Sequence, residues 1–68
     1  MIKVQVAEIK VGDVVKGLSF MKAGFHTVAE IRSNASHMKN TSTELRFIDA
    51  DGDEFFVGRM NAKATVQD

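Results

Sequence analysis

Apolar and polar residues alternate strictly over the first six positions, with Ile2, Val4 and Val6 on one side and Lys3 and Gln5 on the other. A period of two is that of a half-buried β-strand, so the chain is predicted to open on one. The parity then shifts over Ala7, Glu8, Ile9, Lys10 and Val11, and Gly12-Asp13 separates Val11 from Val14-Val15. That arrangement predicts a tight turn feeding a second strand, or else a single strand bent by a bulge at Gly12.

Periodicity disappears over residues 16–24, where Gly17, Ser19 and Gly24 punctuate Leu18, Phe20 and Met21. A long loop is expected there. From His26 to Arg32 the β-branched Thr27, Val28 and Ile31 sit between polar neighbours, which predicts a third strand. Residues 33–42 are dominated by Ser, Asn, Thr and Lys and read as a second, polar loop.

The strongest local signal spans residues 43–58, where Leu45, Phe47 and Ile48 precede Asp51-Gly52 and Phe55, Phe56 and Val57 follow it. Asp-Gly is a favoured pair for a two-residue type I′ turn, because both central positions need positive φ. Such a hairpin sets Ile48 opposite Phe55 and Phe47 opposite Phe56, with Leu45, Phe47 and Phe56 on one face and Ile48, Phe55 and Val57 on the other. Phe56 is therefore assigned to the core, and Phe55 with Val57 to an edge or shared surface. Residues 59–63 are too short for a stable α-helix and predict a turn, or a single 3₁₀ turn, before a last strand around Ala64, Thr65 and Val66. The sum is one all-β domain over residues 1–68 with about five short strands, the first two counted as one if bent at Gly12, and no long helix.

Composition narrows the function classes. A chain of 68 residues buries only about 60% of its unfolded surface, which leaves one thin core and little room for a deep substrate pocket. Cysteine is absent, so a disulfide framework, a thiolate zinc site and a cysteine nucleophile are excluded. No apolar run approaches the roughly 18 residues of a membrane span, and the alternating N-terminus lacks a signal-peptide h-region, so no membrane partner and a cytoplasmic address are expected. The formal charge is zero, but it is unevenly spread. Residues 1–43 hold six bases against three acids, a net +3, whereas residues 44–68 hold three bases against six acids, a net −3.

The order of parts resembles that of the SH3-like small barrels: five short strands, a long loop after the first Gly-Asp turn, a tight hairpin late in the chain, and a helical turn before the last strand. Within that group the resemblance is to KOW-like and related nucleic-acid-associated barrels, through Val11-Gly12-Asp13-Val14-Val15 and the later Val28-Ala29-Glu30-Ile31. In size and style the chain also looks like accessory proteins of phages and plasmids. The resemblance implies a five-stranded small barrel that engages a partner through the loops at one rim, here residues 16–25, 33–42 and 59–63.

Candidate chemistry is sparse. Asp49, Asp51, Asp53 and Glu54 invite a calcium reading, but an EF-hand needs glycine at its sixth position and Glu at its twelfth, where this chain has Gly52 fourth and Met60 twelfth. An acidic hairpin tip open to solvent is the expectation, with no metal and no cofactor. His26 and His37 show no spacing to a carboxylate partner, and no serine has a nucleophile-elbow context, so neither catalysis nor a small-molecule substrate is expected. Residues 16–25 interleave Lys16 and Lys22 with Phe20, Met21 and Phe25, the composition of a surface that stacks bases and tracks a phosphate backbone, unless the aromatics plug the barrel end. Two functions follow for a non-enzymatic binding module. The neutral charge and acidic tip favour protein interaction or self-assembly through Phe55, Val57, Phe20 and Met21; the alternative is nucleic-acid binding through Lys16, Phe20, Lys22 and Phe25.

Overall fold

The computed structural model describes residues 1–34 and 43–67. Most of the polar loop expected over residues 33–42, His37 included, lies outside them. The described residues form an all-β fold of seven strands: β1 (Ile2–Gln5), β2 (Val14–Lys16), β3 (Phe25–Thr27), β4 (Glu30–Asn34), β5 (Glu44–Ile48), β6 (Glu54–Arg59) and β7 (Lys63–Gln67). They pair antiparallel in two open sheets, β1-β7-β2-β3 and β4-β5-β6, rather than as one closed five-stranded barrel. None of the described helices is long and apolar enough to cross a membrane.

Two local events account for the extra strands. The opening strand stops at Gln5 because Val6 turns into the core, where the 3₁₀ turn Val6–Glu8 closes with the Ile9 amide on the Val6 carbonyl at 3.2 Å. β1 thus remains a separate strand and pairs with β7 instead of running on to β2. The expected third strand divides at Val28-Ala29. Val28 exchanges backbone bonds with the β2 side, its amide on Asp13 and its carbonyl under Gly12, at 2.8 and 2.9 Å. The Ala29 amide instead donates to Ile48 of the other sheet at 2.8 Å. One stretch of chain therefore passes from sheet to sheet, with the Val28 side chain buried between them.

Gly12 does sit in a turn feeding β2. The Asp13 amide donates to Lys10 at 3.0 Å, Gly12 has φ +103°, and the Asp13 carboxylate accepts the Lys10 amide at 2.9 Å. The turn before β7 is likewise present, closed by the Ala62 amide on Arg59 at 3.0 Å, but the 3₁₀ turn lies at Val6–Glu8 and not there.

The late hairpin is present with a different turn. Its loop holds three residues, since Asp49 and Asp53 close it at 3.0 Å, the Gly52 amide donates to Asp49, and Gly52 takes φ +85°. The cause is the Asp49 side chain, whose Oδ1 accepts the amides of both Asp51 and Asp53 at 3.0 Å and so stabilises the wider loop. Phe47 still faces Phe56, but Ile48 faces Glu54, and Phe55 becomes the extra residue of a bulge. A bulge breaks the strict alternation of faces. Phe55 and Phe56 are both buried as a result, and Phe55, expected at an edge surface, has no exposed area at all.

The core is built from Val6, Ile9, Val15, Val28, Phe47, Phe55, Phe56, Ala64 and Val66. Phe47 stacks on Phe56 with centroids 5.4 Å apart and tilts against Phe55 at 6.4 Å, while His26 lies 5.1 Å from Phe55 on the far side. Three phenylalanines thus fill the space that the small number of strands leaves between the sheets.

Candidate functional site

Alternation along β1, β7 and β2 decides which side chains face out. Ala64, Val66 and Val15 point into the core, so Lys63, Thr65 and Lys16 take the opposite face. Val66 pairs with both Ile2 and Val15, and Lys3 pairs with Thr65. One residue along from Val15, Lys16 flanks Thr65 from the other side. Gln5 pairs with Lys63. Lys3, Lys16 and Lys63 therefore share one outer face of the four-stranded sheet, drawn from three different strands.

These lysines line a cleft of about 390 Å³. Its floor includes Thr65, Ala64 and Phe56, and its wall is the loop joining β2 to β3, through Gly17, Leu18, Ser19, Ala23 and Gly24. The cleft combines three lysines with the apolar side chains of Leu18, Phe56 and Ala64.

Three of the other described bases are arranged differently. Arg32 Nε lies 2.7 Å from Glu30, and Arg46 lies 3.0 Å from Glu54 and 3.5 Å from Glu44, all on the three-stranded sheet. Lys22 Nζ lies 2.6 Å from Asp49, 3.0 Å from Asp53 and 3.7 Å from Asp51. Among the described residues, Lys3, Lys16 and Lys63 have no ion pair. Lys10 and Arg59 have none either, but Lys3, Lys16 and Lys63 lie together around one cleft, so a neutral molecule presents a local basic face.

Asp49 is 7% exposed, and the Lys22 ammonium that donates to it holds its carboxyl below the usual carboxylate range, against the opposing effect of burial. The hydrogen bonds to Asp49 and then Asp53 raise Lys22 above its ordinary value. The hairpin tip is open to solvent at Asp51 and Asp53, as expected, but its charge is partly answered by Lys22 and its Asp49 is buried. The carboxylate oxygens of Asp49, Asp51 and Asp53 lie within 4.8 Å of one another, and the Lys22 ammonium supplies the positive charge that this grouping calls for.

Of the residues singled out from sequence, Lys16 lines the cleft, and Phe25, half-buried, pairs directly with it across β2 and β3. Phe20 stands 79% exposed at the tip of the adjoining loop, with Met21 half-buried beside it. Lys22 is turned away to the hairpin tip and is not a free cation for a ligand. Phe55 is enclosed in the core, whereas Val57, half-buried, lies on β6 at the edge of the three-stranded sheet. His26 donates from Nε2 to the Ala23 carbonyl at 2.9 Å and packs on Phe55, a structural use of the ring.

Sequence reasoning missed Lys3 and Lys63. Their signal was the alternation of Lys3 with Ile2 and Val4, and of Lys63 and Thr65 with Ala64 and Val66. It becomes a site only once the first strand is known to lie beside the last. Compared with known proteins, the chain matches no family model, no curated protein and no solved structure.

Proposed function

We propose that this chain is a non-enzymatic nucleic-acid-binding module, related in its order of parts to SH3-like small barrels, that takes the ligand backbone across the outer face of the four-stranded sheet. The observation that carries this reading is the trio Lys3, Lys16 and Lys63, each without an ion pair among the described residues and all lining one cleft, whereas Lys22, Arg32 and Arg46 are paired with acids. Lysines that neutralise phosphates release the cations condensed on the nucleic acid, which is the ordinary source of nucleic-acid affinity. The SH3-like reading is supported by the pairings of β2 with β3, β4 with β5, β5 with β6 and β7 with β2, with β3 and β4 joined directly through Val28-Ala29 as the chain crosses between sheets. β1 is an addition on the far edge of β7.

Assembly through a second copy or a protein partner is the other reading, and one observation favours it: β6 is an edge strand carrying the half-buried Val57. It lost its aromatic anchor when Phe55 turned inward. Titration of a fluorescent mixed-sequence oligonucleotide at low salt, with amide shifts followed by NMR, separates the two. Binding with shifts at Lys3, Lys16, Lys63 and Thr65 supports the proposal. No binding, with concentration-dependent broadening along β6, would replace it with assembly.

A further inference from the structure

We infer that the ligand is single-stranded and that Phe20 stacks on one of its bases beside the lysine cleft; this rests on the nucleic-acid reading above and deepens it. A phenylalanine left 79% exposed in so small a protein stands against the main drive of folding, which would bury it. The loop around it is nonetheless fixed on several sides. The Gly17 amide donates to Gly24 at 2.7 Å, closing the loop at its neck, and the Leu18 amide donates to Phe55 of β6 at 2.9 Å. Lys22 is tied to Asp49 and Asp53, and His26 holds the Ala23 carbonyl. The Met21 amide donates to Leu18 at 2.9 Å, which makes Ser19 and Phe20 the two central residues of a turn, the outermost point of the loop.

A loop that could fold Phe20 inward is thus held so that it does not. An aromatic ring on a rigid mount loses little conformational entropy when a ligand covers it, which is the physical requirement for a recognition anchor. The residue before it, Ser19, lines the same cleft as the three lysines, so the ring stands next to a site for a bound anion. The ligand that offers negative charge along a backbone and flat apolar faces at its side is single-stranded nucleic acid. In a duplex those faces are stacked on one another and closed to the ring. Only the lysines would then contribute.

The experiment compares a short mixed-sequence single strand with the duplex of the same sequence, for the unaltered protein and for Phe20→Ala, by fluorescence anisotropy at low salt. Phe20 is exposed, so the variant is expected to fold, and its amide spectrum away from the loop checks that it does. The expected result is tighter binding of the single strand and a loss of about fivefold or more in its affinity on Phe20→Ala, with duplex binding unchanged. Equal binding of the two ligands with no effect of Phe20→Ala, while Lys3, Lys16 and Lys63 variants weaken both, overturns the inference and leaves the nucleic-acid reading standing. Failure of both ligands to bind overturns the reading itself, and the inference with it.

Discussion

The Lys22 ammonium lies 2.6 Å from Oδ2 of Asp49, joining two residues 27 positions apart. The same carboxylate uses its other oxygen to organise the hairpin loop through the amides of Asp51 and Asp53. One side chain therefore shapes the hairpin tip and fastens the loop that walls the cleft. Asp49→Asn keeps an acceptor for the two amides but loses the charge, whereas Asp49→Ala loses both. Chemical denaturation should rank stability as wild type above Asp49→Asn above Asp49→Ala. Hydrogen exchange at Leu18 and Met21 should quicken in both variants and in Lys22→Met.

The ion pair also fixes the direction of a pH effect. Asp49 is held below its ordinary value of 3.8, so the stability it contributes is fully present above that pH and is lost as pH falls through the lower folded-state value. Lys22 is raised above 10.5, so its share is present throughout the neutral range and disappears only in strong alkali. An acid titration followed by circular dichroism should show a steeper loss of stability below pH 3.8 for wild type than for Asp49→Asn. Coincident acid limbs for the two proteins would mean that the pair contributes nothing.

Phe55 and Phe20 should respond to substitution in opposite ways. Phe55 has no exposed area and touches both Phe47 and His26, so Phe55→Ser removes a core ring and leaves a polar group in its place, costing roughly 3–5 kcal/mol. A domain of this size has on the order of 3–10 kcal/mol of total stability, so the variant should lose a large part of it and unfold at a much lower urea concentration. Phe20→Ser should leave the urea midpoint within experimental scatter. A Phe55→Ser protein with an unchanged urea midpoint and weakened self-association would restore Phe55 to the surface.

Much of the fold is legible in the sequence, and the failures share a cause. Alternation at Ile2 to Gln5, at Leu45 to Phe47 and at Ala64 to Val66 encodes strands and their faces, and Gly12 and Gly52 mark turns. Alternation says nothing about which strand becomes a neighbour. Hence the pairing of Lys3 with Thr65, on which the candidate site depends, was not visible, although each lysine was. The misplacement of Phe55 came from a single side chain: the Asp51-Gly52 pair alone suggests a two-residue loop, and the Asp49 carboxylate makes it three. Lys22 looked like a free cation because the ion pair that engages it closes only in three dimensions.

Gly17 should tolerate no side chain. A Cβ built there would stand 2.0 Å from the Lys22 carbonyl oxygen and 3.0 Å from that of Phe55, both backbone atoms that cannot yield without moving the loop or β6. Gly12 and Gly52 have open space, and substitution there meets only the strain of their positive φ, roughly 1–2 kcal/mol. Denaturation midpoints should therefore fall further for Gly17→Ala than for Gly12→Ala or Gly52→Ala. Because residue 17 also closes the neck of the loop, Gly17→Ala should shift the amides of Leu18 to Gly24 together.

The lysine face makes a quantitative claim about salt. Lys3, Lys16 and Lys63 are unpaired and on one surface, so each can neutralise one phosphate of a single strand. The logarithm of affinity should fall with the logarithm of salt concentration with a slope of about −2, from roughly 0.7 counterion released per phosphate neutralised. Replacing any one of the three by Gln should reduce the magnitude of that slope by about 0.7. Lys22→Gln is the informative contrast, since its charge is already committed to Asp49 and Asp53. It should leave the slope unchanged even if affinity drops through a loosened loop. A slope that responds to Lys22 and ignores Lys3 and Lys63 would move the ligand off the sheet and onto the hairpin tip.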